Sequence, residues 1–179
     1  MSSGLPPVDV ALPEVLRLLE DAGVAFKLVG GVAVVHHGYP RTTEDVDVLV
    51  EQRAEARLDA ALASHGFERA SERRLTHVPT GVRVDVLVAG TPLPREGRGV
   101  YPSPRDLGAS PRDARVVDLG GLLELKLRAG RHRDIADVVE LLKRLDEARY
   151  TELEAHFAPS LRPQLAELRR DALEEQSET

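Results

Sequence analysis

The chain has 179 residues, with 24 Lys and Arg against 30 Asp and Glu and a formal net charge of −6. Hydrophobic residues make up 42%, enough for a packed core, which excludes general disorder. Aromatic residues make up only 3%, which disfavours a single-strand nucleic-acid binder based on aromatic stacking. The absence of cysteine excludes disulfide scaffolds, thiolate zinc sites and Cys nucleophiles.

The acidic balance also disfavours nonspecific binding to polyanions. No apolar run approaches the roughly 20 residues needed to cross a bilayer. The N-terminus lacks the basic and apolar pattern of a signal peptide. We therefore expect a soluble, cytoplasmic protein that makes no membrane contact.

Hydrophobic periodicity and turn residues predict the elements in chain order. A flexible N-terminal tail is expected over 1–8, and an α/β core over 9–118. The predicted core helices are 13–22, 32–37 and 53–64, and the predicted strands are 24–29, 44–50, 74–78 and 82–88.

The segment 90–115 is rich in Pro and Arg, so regular helix or strand is not expected there. Such a long loop is either functional or mobile, or else a plain surface excursion. From 119 to 175 the pattern is helical, with breaks near Gly130 and Pro159, and a polar tail follows over 176–179. The order of elements predicts an α/β (α+β) fold class.

Two aspartates lie two residues apart on the predicted strand 44–50. Side chains at i and i+2 of a strand point to the same face, so Asp45 and Asp47 project together while Val46 and Val48 face the core. Paired carboxylates suit Mg²⁺, which proteins hold with one or two carboxylates plus substrate phosphates. A strand with a wet polar face is the structural alternative.

A third acid, Asp85, lies between apolar residues on the strand 82–88. If this strand neighbours the first, Asp85 joins Asp45 and Asp47 on one face. Three such acids can hold two divalent cations and deprotonate an attacking hydroxyl, as two-metal phosphoryl transfer requires. The alternative is a surface acid on an edge strand.

A glycine pair, Gly30-Gly31, separates an apolar strand from a short helix. Glycine allows a phosphate to approach the backbone closely, and a helix N-terminus offers unpaired N–H groups. A tight strand-to-helix turn that requires positive φ explains the same pair without a ligand. Neither a Walker loop nor a dinucleotide-binding fingerprint occurs in the chain.

These motifs together resemble the nucleotidyltransferase superfamily: Leu28-Val29-Gly30-Gly31, then Arg41-Thr42-Thr43-Glu44-Asp45-Val46-Asp47, then Val84-Asp85-Val86. The later segment 122–137, LLELKLRAGRHRDIAD, is similar to a helical segment of the AbiEii-type members, the toxins of type IV toxin–antitoxin systems. The resemblance implies a nucleotidyltransferase (polymerase-β-like) fold, with a small mixed sheet flanked by helices and a helical C-terminal part packed on the core.

The resemblance also implies roles for individual residues. Asp45, Asp47 and Asp85 would be catalytic and would hold Mg²⁺ or Mn²⁺. The NTP would be bound by Gly30, Gly31, Arg41, Thr42 and Lys126. Lys126 would reach the phosphates or the developing charge, with Asp134 or Asp137 orienting it. On the residues alone, Lys126 is equally well explained as a snorkelling lysine, and Asp134 as a helix N-cap.

The implied activity is transfer of a nucleoside monophosphate from an NTP to a hydroxyl, with an RNA such as tRNA, a protein or a small molecule as the acceptor. A toxin–antitoxin or defence role, with a cognate antitoxin as partner, goes with the resemblance. The alternative is a non-catalytic relative that binds a nucleotide or a partner protein, in the manner of an antitoxin.

Overall fold

The computed structural model describes residues 5–94 and 99–178. Within these residues the chain forms helices α1 to α7 and strands β1 to β7. The helices are Pro7–Asp21, Gly30–His36, Glu55–Ala61, Leu119–Ala129, His132–Leu142, Glu147–His156 and Arg162–Ser177. The strands are Phe26–Val29, Asp45–Val50, Phe67–Ser71, Arg74–His77, Val82–Val88, Ala109–Ser110 and Asp113–Val117.

The strands form one mixed sheet in the order β3-β4-β5-β2-β1-β7-β6. β2 runs antiparallel to β1 but parallel to β5, and β1 also pairs in parallel with β7. This mixed sheet, flanked by helices and followed by a helical C-terminal part, confirms the predicted fold class. No helix in the described part of the chain has the length and apolar character needed to cross a membrane.

The central strands place apolar and polar side chains on opposite faces. Val46 and Val48 of β2 and Val84 and Val86 of β5 are at most 1% exposed and contribute to the core. Helix α1 contacts both strands and supplies Val15, Leu18 and Leu19 to the same core. Because side chains alternate along a strand, the aspartates of β2 and β5 face away from this core.

The C-terminal helices pack against the other side of the glycine turn. Helix α4 contacts α2, and α5 contacts both α4 and α7. The Asp118 side chain caps α4 by accepting a hydrogen bond from the Gly121 N–H at 3.0 Å. Gly130 ends the helix at a φ of 61°, a conformation that favours glycine. These two ends determine where the α4 side chains lie above the sheet.

Several predicted boundaries were wrong. Helix α1 begins at Pro7, so Pro7 and the buried Val8 belong to it and not to a tail; residues 1–4 lie outside the described part. Strand β3 was not predicted. The segment 90–115 contains β6 and the start of β7, because Val116 pairs with Leu28 of β1, a contact remote in sequence. Its Arg95 and Arg98 lie outside the described residues. Helix α7 continues to Ser177, into the predicted polar tail.

Candidate functional site

The parallel pairing of β2 with β5 brings the three predicted acids to one face of the sheet. In this pairing Asp47 lies directly opposite Asp85, and Asp45 lies opposite Arg83. β5 is an interior strand, since β4 covers its other edge, so Asp85 is not an edge-strand acid. The two strands thus present three carboxylates and one guanidinium side by side.

A cavity of about 160 Å³ opens above these acids. Nine of the ten residues predicted for the site line it: Gly30, Gly31, Arg41, Asp45, Asp47, Asp85, Lys126, Asp134 and Asp137. Larger concavities of about 490 and 650 Å³ lie elsewhere, but neither contains an acid of β2 or β5. The grouping of charges, not cavity size, marks the candidate site.

One predicted residue does not line this cavity. The exception is Thr42, whose side chain is exposed and borders a neighbouring concavity of about 300 Å³ instead. The next residue, Thr43, lies closer to the site: its hydroxyl donates to the Asp45 carbonyl at 3.0 Å and so helps to hold the start of β2. The structure does not bring Thr42 to the cavity, and its predicted part in nucleotide binding has no geometric support.

The surroundings of Asp47 disfavour the ionised form of its carboxylate. Burial, together with the neighbouring carboxylates of Asp45 and Asp85, raises its pKa from 3.8 to about 6. Lys126 and a hydrogen bond from the Gly31 N–H act in the opposite direction. Burial and like charges both disfavour an ionised carboxylate. A cation placed among these acids would therefore relieve a real repulsion.

Glycine is required at both positions of the pair because side chains of the protein itself lie against the backbone there. Gly30 has a φ of +58°, and a Cβ there would overlap the Asp47 carboxylate. A Cβ at Gly31 would press on the Thr43 hydroxyl and the Arg41 guanidinium. The pair forms a tight strand-to-helix turn, which is the explanation of the sequence pattern that needs no ligand. Its role as a triphosphate cradle stays a prediction, since the Gly31 N–H already donates to Asp47.

Lys126 on α4 is buried, with 5% of its surface exposed, and is not a snorkelling lysine. Its Nζ lies 2.6 Å from Asp137 Oδ2 and 3.2 Å from Asp134 Oδ1, both on α5. Arg41 Nε lies 3.1 Å from the other oxygen of Asp137. The N-cap position of α5 is Arg131, so Asp134 is not its cap. One buried carboxylate, Asp137, thus holds two cations at the cavity wall.

Replacing this carboxylate is expected to weaken the fold. In an Asp137→Asn variant, Lys126 keeps only the longer contact to Asp134, and Arg41 loses its charged partner. Removing one member of a buried ion pair leaves uncompensated charge, and we expect the free energy of unfolding to fall by about 3 kcal/mol. Urea unfolding measures this change. The control is Glu14→Gln, which removes an exposed pair with Arg17 and should have little effect; equal effects of the two substitutions would contradict the role given to Asp137.

Two arginines are already paired with the acids of the sheet. Arg74 of β4 lies opposite Asp85, with its Nε 2.7 Å from Asp85 Oδ1. Arg83 reaches Asp45 Oδ2 at 3.7 Å. In the described part of the chain, no three His, Asp or Glu side chains are arranged to hold a metal ion as they stand. The donor chemistry fits a divalent cation, but binding one through Asp85 requires Arg74 to move aside.

Sequence reasoning missed some residues at the cavity. Tyr101 comes from the Pro- and Arg-rich segment and lines the cavity, and Arg74, on the strand predicted over 74–78, contacts the cavity residue Asp85. Neither lies in a motif, so no local signal marks them. Arg131 and Arg133, which follow the predicted break near Gly130, also line the cavity.

Comparison with known proteins supports the fold and the superfamily. Residues 11–88 match the family model of the aminoglycoside-2″-adenylyltransferases. This match spans α1 to β5, including Gly30, Gly31 and the three acids, but it ends before Lys126. Comparison with curated proteins gives no significant match. The AbiEii-type resemblance finds no support in these comparisons.

Two solved structures share the fold. One is the crystal structure of ANT(2″)-Ia in complex with adenylyl-2″-tobramycin, with 12% identity over 88% of this chain and 96% of that one, and a TM-score of 0.54. The other is the solution structure of the antibiotic-resistance factor ANT(2″)-Ia, with 14% identity over 90% of this chain and 95% of that one, and a TM-score of 0.51. The fold and the partial family match together indicate a nucleotidyltransferase enzyme.

Proposed function

We propose that this chain transfers a nucleoside monophosphate from an NTP to a hydroxyl group of a small molecule, in a reaction that depends on Mg²⁺ or Mn²⁺. The observation that carries the proposal is the position of Asp47, opposite Asp85 across two parallel strands and in the same cavity as the buried Lys126. Carboxylates on one wall and fixed cations on another suit a metal-bound triphosphate.

The position of each residue in the site would determine its role. Asp45, Asp47 and Asp85 would hold the divalent cation, which supplies charge stabilisation at the phosphates. Lys126 and Arg41 would bind phosphate oxygens, kept in place by Asp137. The acceptor oxygen would bond to the α-phosphorus while the bond from that phosphorus to the bridging oxygen of the β-phosphate breaks. Pyrophosphate leaves, and the hydroxyl proton passes to a carboxylate of the site or to water.

An aminoglycoside is the first acceptor to test. The matching family model is that of aminoglycoside-2″-adenylyltransferases, and the neighbouring crystal structure contains adenylyl-2″-tobramycin. These names describe those proteins, and the acceptor of this chain is a proposal. RNA, protein and antitoxin partners stay predictions from the sequence resemblance.

The decisive assay incubates the protein with each of four α-³²P-labelled NTPs, Mg²⁺ or Mn²⁺, and an acceptor. The acceptors are tobramycin and other aminoglycosides, total tRNA, and a small-molecule extract. We expect label on a small molecule, with release of pyrophosphate, and no label with Asp85→Asn. Label on tRNA alone would contradict the small-molecule acceptor but keep the enzyme class.

One observation favours a second candidate, a nucleotide- or partner-binding module without catalysis. The ion pair between Arg74 and Asp85 occupies a carboxylate that the reaction needs. If this second candidate function is correct, the protein binds NTP but no acceptor becomes labelled. An Arg74→Ala variant separates the candidates further, because it frees Asp85 and should lower the metal concentration needed for half-maximal transfer only in an enzyme.

A further inference from the structure

Tyr101 is an aromatic side chain in the wall of the cavity. Its backbone is anchored to the segment that follows β5: the Tyr101 N–H donates to the Thr91 carbonyl at 2.9 Å, and its carbonyl accepts from the Gly90 N–H at 2.8 Å. Only 8% of the residue is exposed. The Pro- and Arg-rich segment thus delivers one fixed aromatic side chain to the site.

Apolar side chains line the cavity together with Tyr101. On α4, Leu122, Leu125 and Ala129 line the cavity together with Lys126, and their i, i+3, i+4, i+7 spacing puts all four on one helix face. Leu87 lies two residues after Asp85 on β5, on the same face of the sheet. Lys126 is therefore the charged member of an otherwise apolar helix face.

An NTP also combines a charged part with a weakly polar part: the anionic triphosphate lies at one end of the molecule and the flat base at the other. When its phosphates lie at Lys126, the rest of the molecule can extend along the same face of α4. Tyr101 and Ala129 both line the cavity. The apolar part of the cavity lining suits the base, and Tyr101 is the aromatic residue in that lining.

Charges of both signs lie near Tyr101. Its hydroxyl lies within electrostatic range of Arg131 and Arg73, as well as Asp47 and Asp134. Arg131 and Arg73 are exposed guanidiniums. Since two cations and two acids offset one another there, these charges by themselves select neither a polycationic acceptor nor a neutral base.

We propose that Tyr101 packs against the nucleobase of the bound NTP and strengthens nucleotide binding through that contact. This inference rests on the proposed function, because it takes the triphosphate to lie at Lys126. Stacking between a base and an aromatic side chain is sequence-tolerant, since every base has a π-face. The contact therefore favours nucleotides over inorganic polyphosphates without selecting one base.

The test compares two probes, ATP and inorganic tripolyphosphate, which lacks both base and sugar. Dissociation constants are measured by calorimetry with Mg²⁺ for the wild type, Tyr101→Leu and Tyr101→Phe. We expect Tyr101→Leu to weaken ATP binding by about tenfold and to leave tripolyphosphate binding unchanged. Tyr101→Phe keeps the ring and should bind ATP within about twofold of the wild type. Tyr39→Phe, at a tyrosine whose ring lies beside Arg144, is the matched control and should change neither constant.

The outcomes separate this inference from the proposed function. Equal weakening of ATP and tripolyphosphate by Tyr101→Leu would show a general structural effect and overturn the base contact. Unchanged ATP binding in that variant would also overturn it, while the proposed function stands if transfer persists. Failure of the wild type to bind any NTP would overturn the proposed function and the inference with it.

Discussion

An Asp47→Asn variant is expected to unfold at a higher temperature than the wild type while losing nucleotidyl transfer by roughly 1,000-fold or more. The loss follows from removing a negatively charged oxygen at the centre of the three acids. The gain in stability follows from the same change, because Asn carries no charge to be repelled by Asp45 and Asp85. Opposite effects on stability and activity are typical of a group held in place for function.

The size of the stability effect depends on pH. The folded-state pKa of Asp47, about 6, lies above its ordinary value of 3.8. The folded protein therefore binds the proton more tightly, and this stabilisation is fully present below about pH 3.8 and lost as the pH rises through 6. Above that range, the ionised carboxylate disfavours the folded state by up to about 3 kcal/mol.

Thermal unfolding at pH 5 and pH 8, without divalent cations, measures this effect. The Tm advantage of Asp47→Asn should be larger at pH 8. Added Mg²⁺ should raise the Tm of the wild type more than that of the variant, since a bound cation stabilises only the state that holds it. Asp171→Asn, at an exposed position on α7, is the control and should show neither effect. A variant less stable than the wild type at both pH values would contradict the electrostatic description of the site.

A Gly30→Ala variant is expected to lose transfer activity and to be destabilised by about 2 to 5 kcal/mol. About 1 to 2 kcal/mol of this comes from placing a Cβ in the left-handed region. The remainder comes from overlap with the Asp47 carboxylate, which must move or push the turn aside. Because Asp47 is the displaced group, activity should fall even in the fraction of molecules that stays folded.

Gly81→Ala separates strain from overlap. Gly81 has a φ of +72°, but a Cβ there meets nothing within 4 Å. It should therefore lose only the about 1 to 2 kcal/mol of backbone strain and keep its activity. Urea unfolding and the transfer assay on both variants provide the comparison. If Gly30→Ala is no worse than Gly81→Ala in either measurement, the close contact between Gly30 and Asp47 has no functional consequence.

Much of the site could be predicted because its residues follow local rules. The two-residue alternation of a strand puts Asp45 and Asp47 on one face, whatever the neighbouring strands are. The glycine pair between an apolar strand and a helix indicates a turn with positive φ. A lysine among leucines on α4 indicates either a charge with an anionic partner or a snorkelling side chain, and the sequence does not decide between the two. These features depend only on residues near one another in the chain.

The rest depends on contacts between distant residues. That Asp85 faces Asp47 follows from the parallel pairing of β2 with β5, and strands β3, β6 and β7 are stabilised by their pairing partners more than by their own composition. The pairing of Arg74 with Asp85 and the entry of Tyr101 into the cavity have no sequence motif at all.

The amino-acid sequence by itself therefore determined the acidic net charge, the valine and leucine content of the core, and the short strand motifs that carry the acids. The tertiary structure alone decided how those charges are used. It partly buries Asp47 beside two other acids, pairs Lys126 and Arg41 with Asp137, and places Tyr101 in the wall of the same cavity. The physical reason is that burial and electrostatic interaction depend on distances in space. Those distances are set by the pairing of strands and the packing of helices, and not by the spacing of residues along the chain.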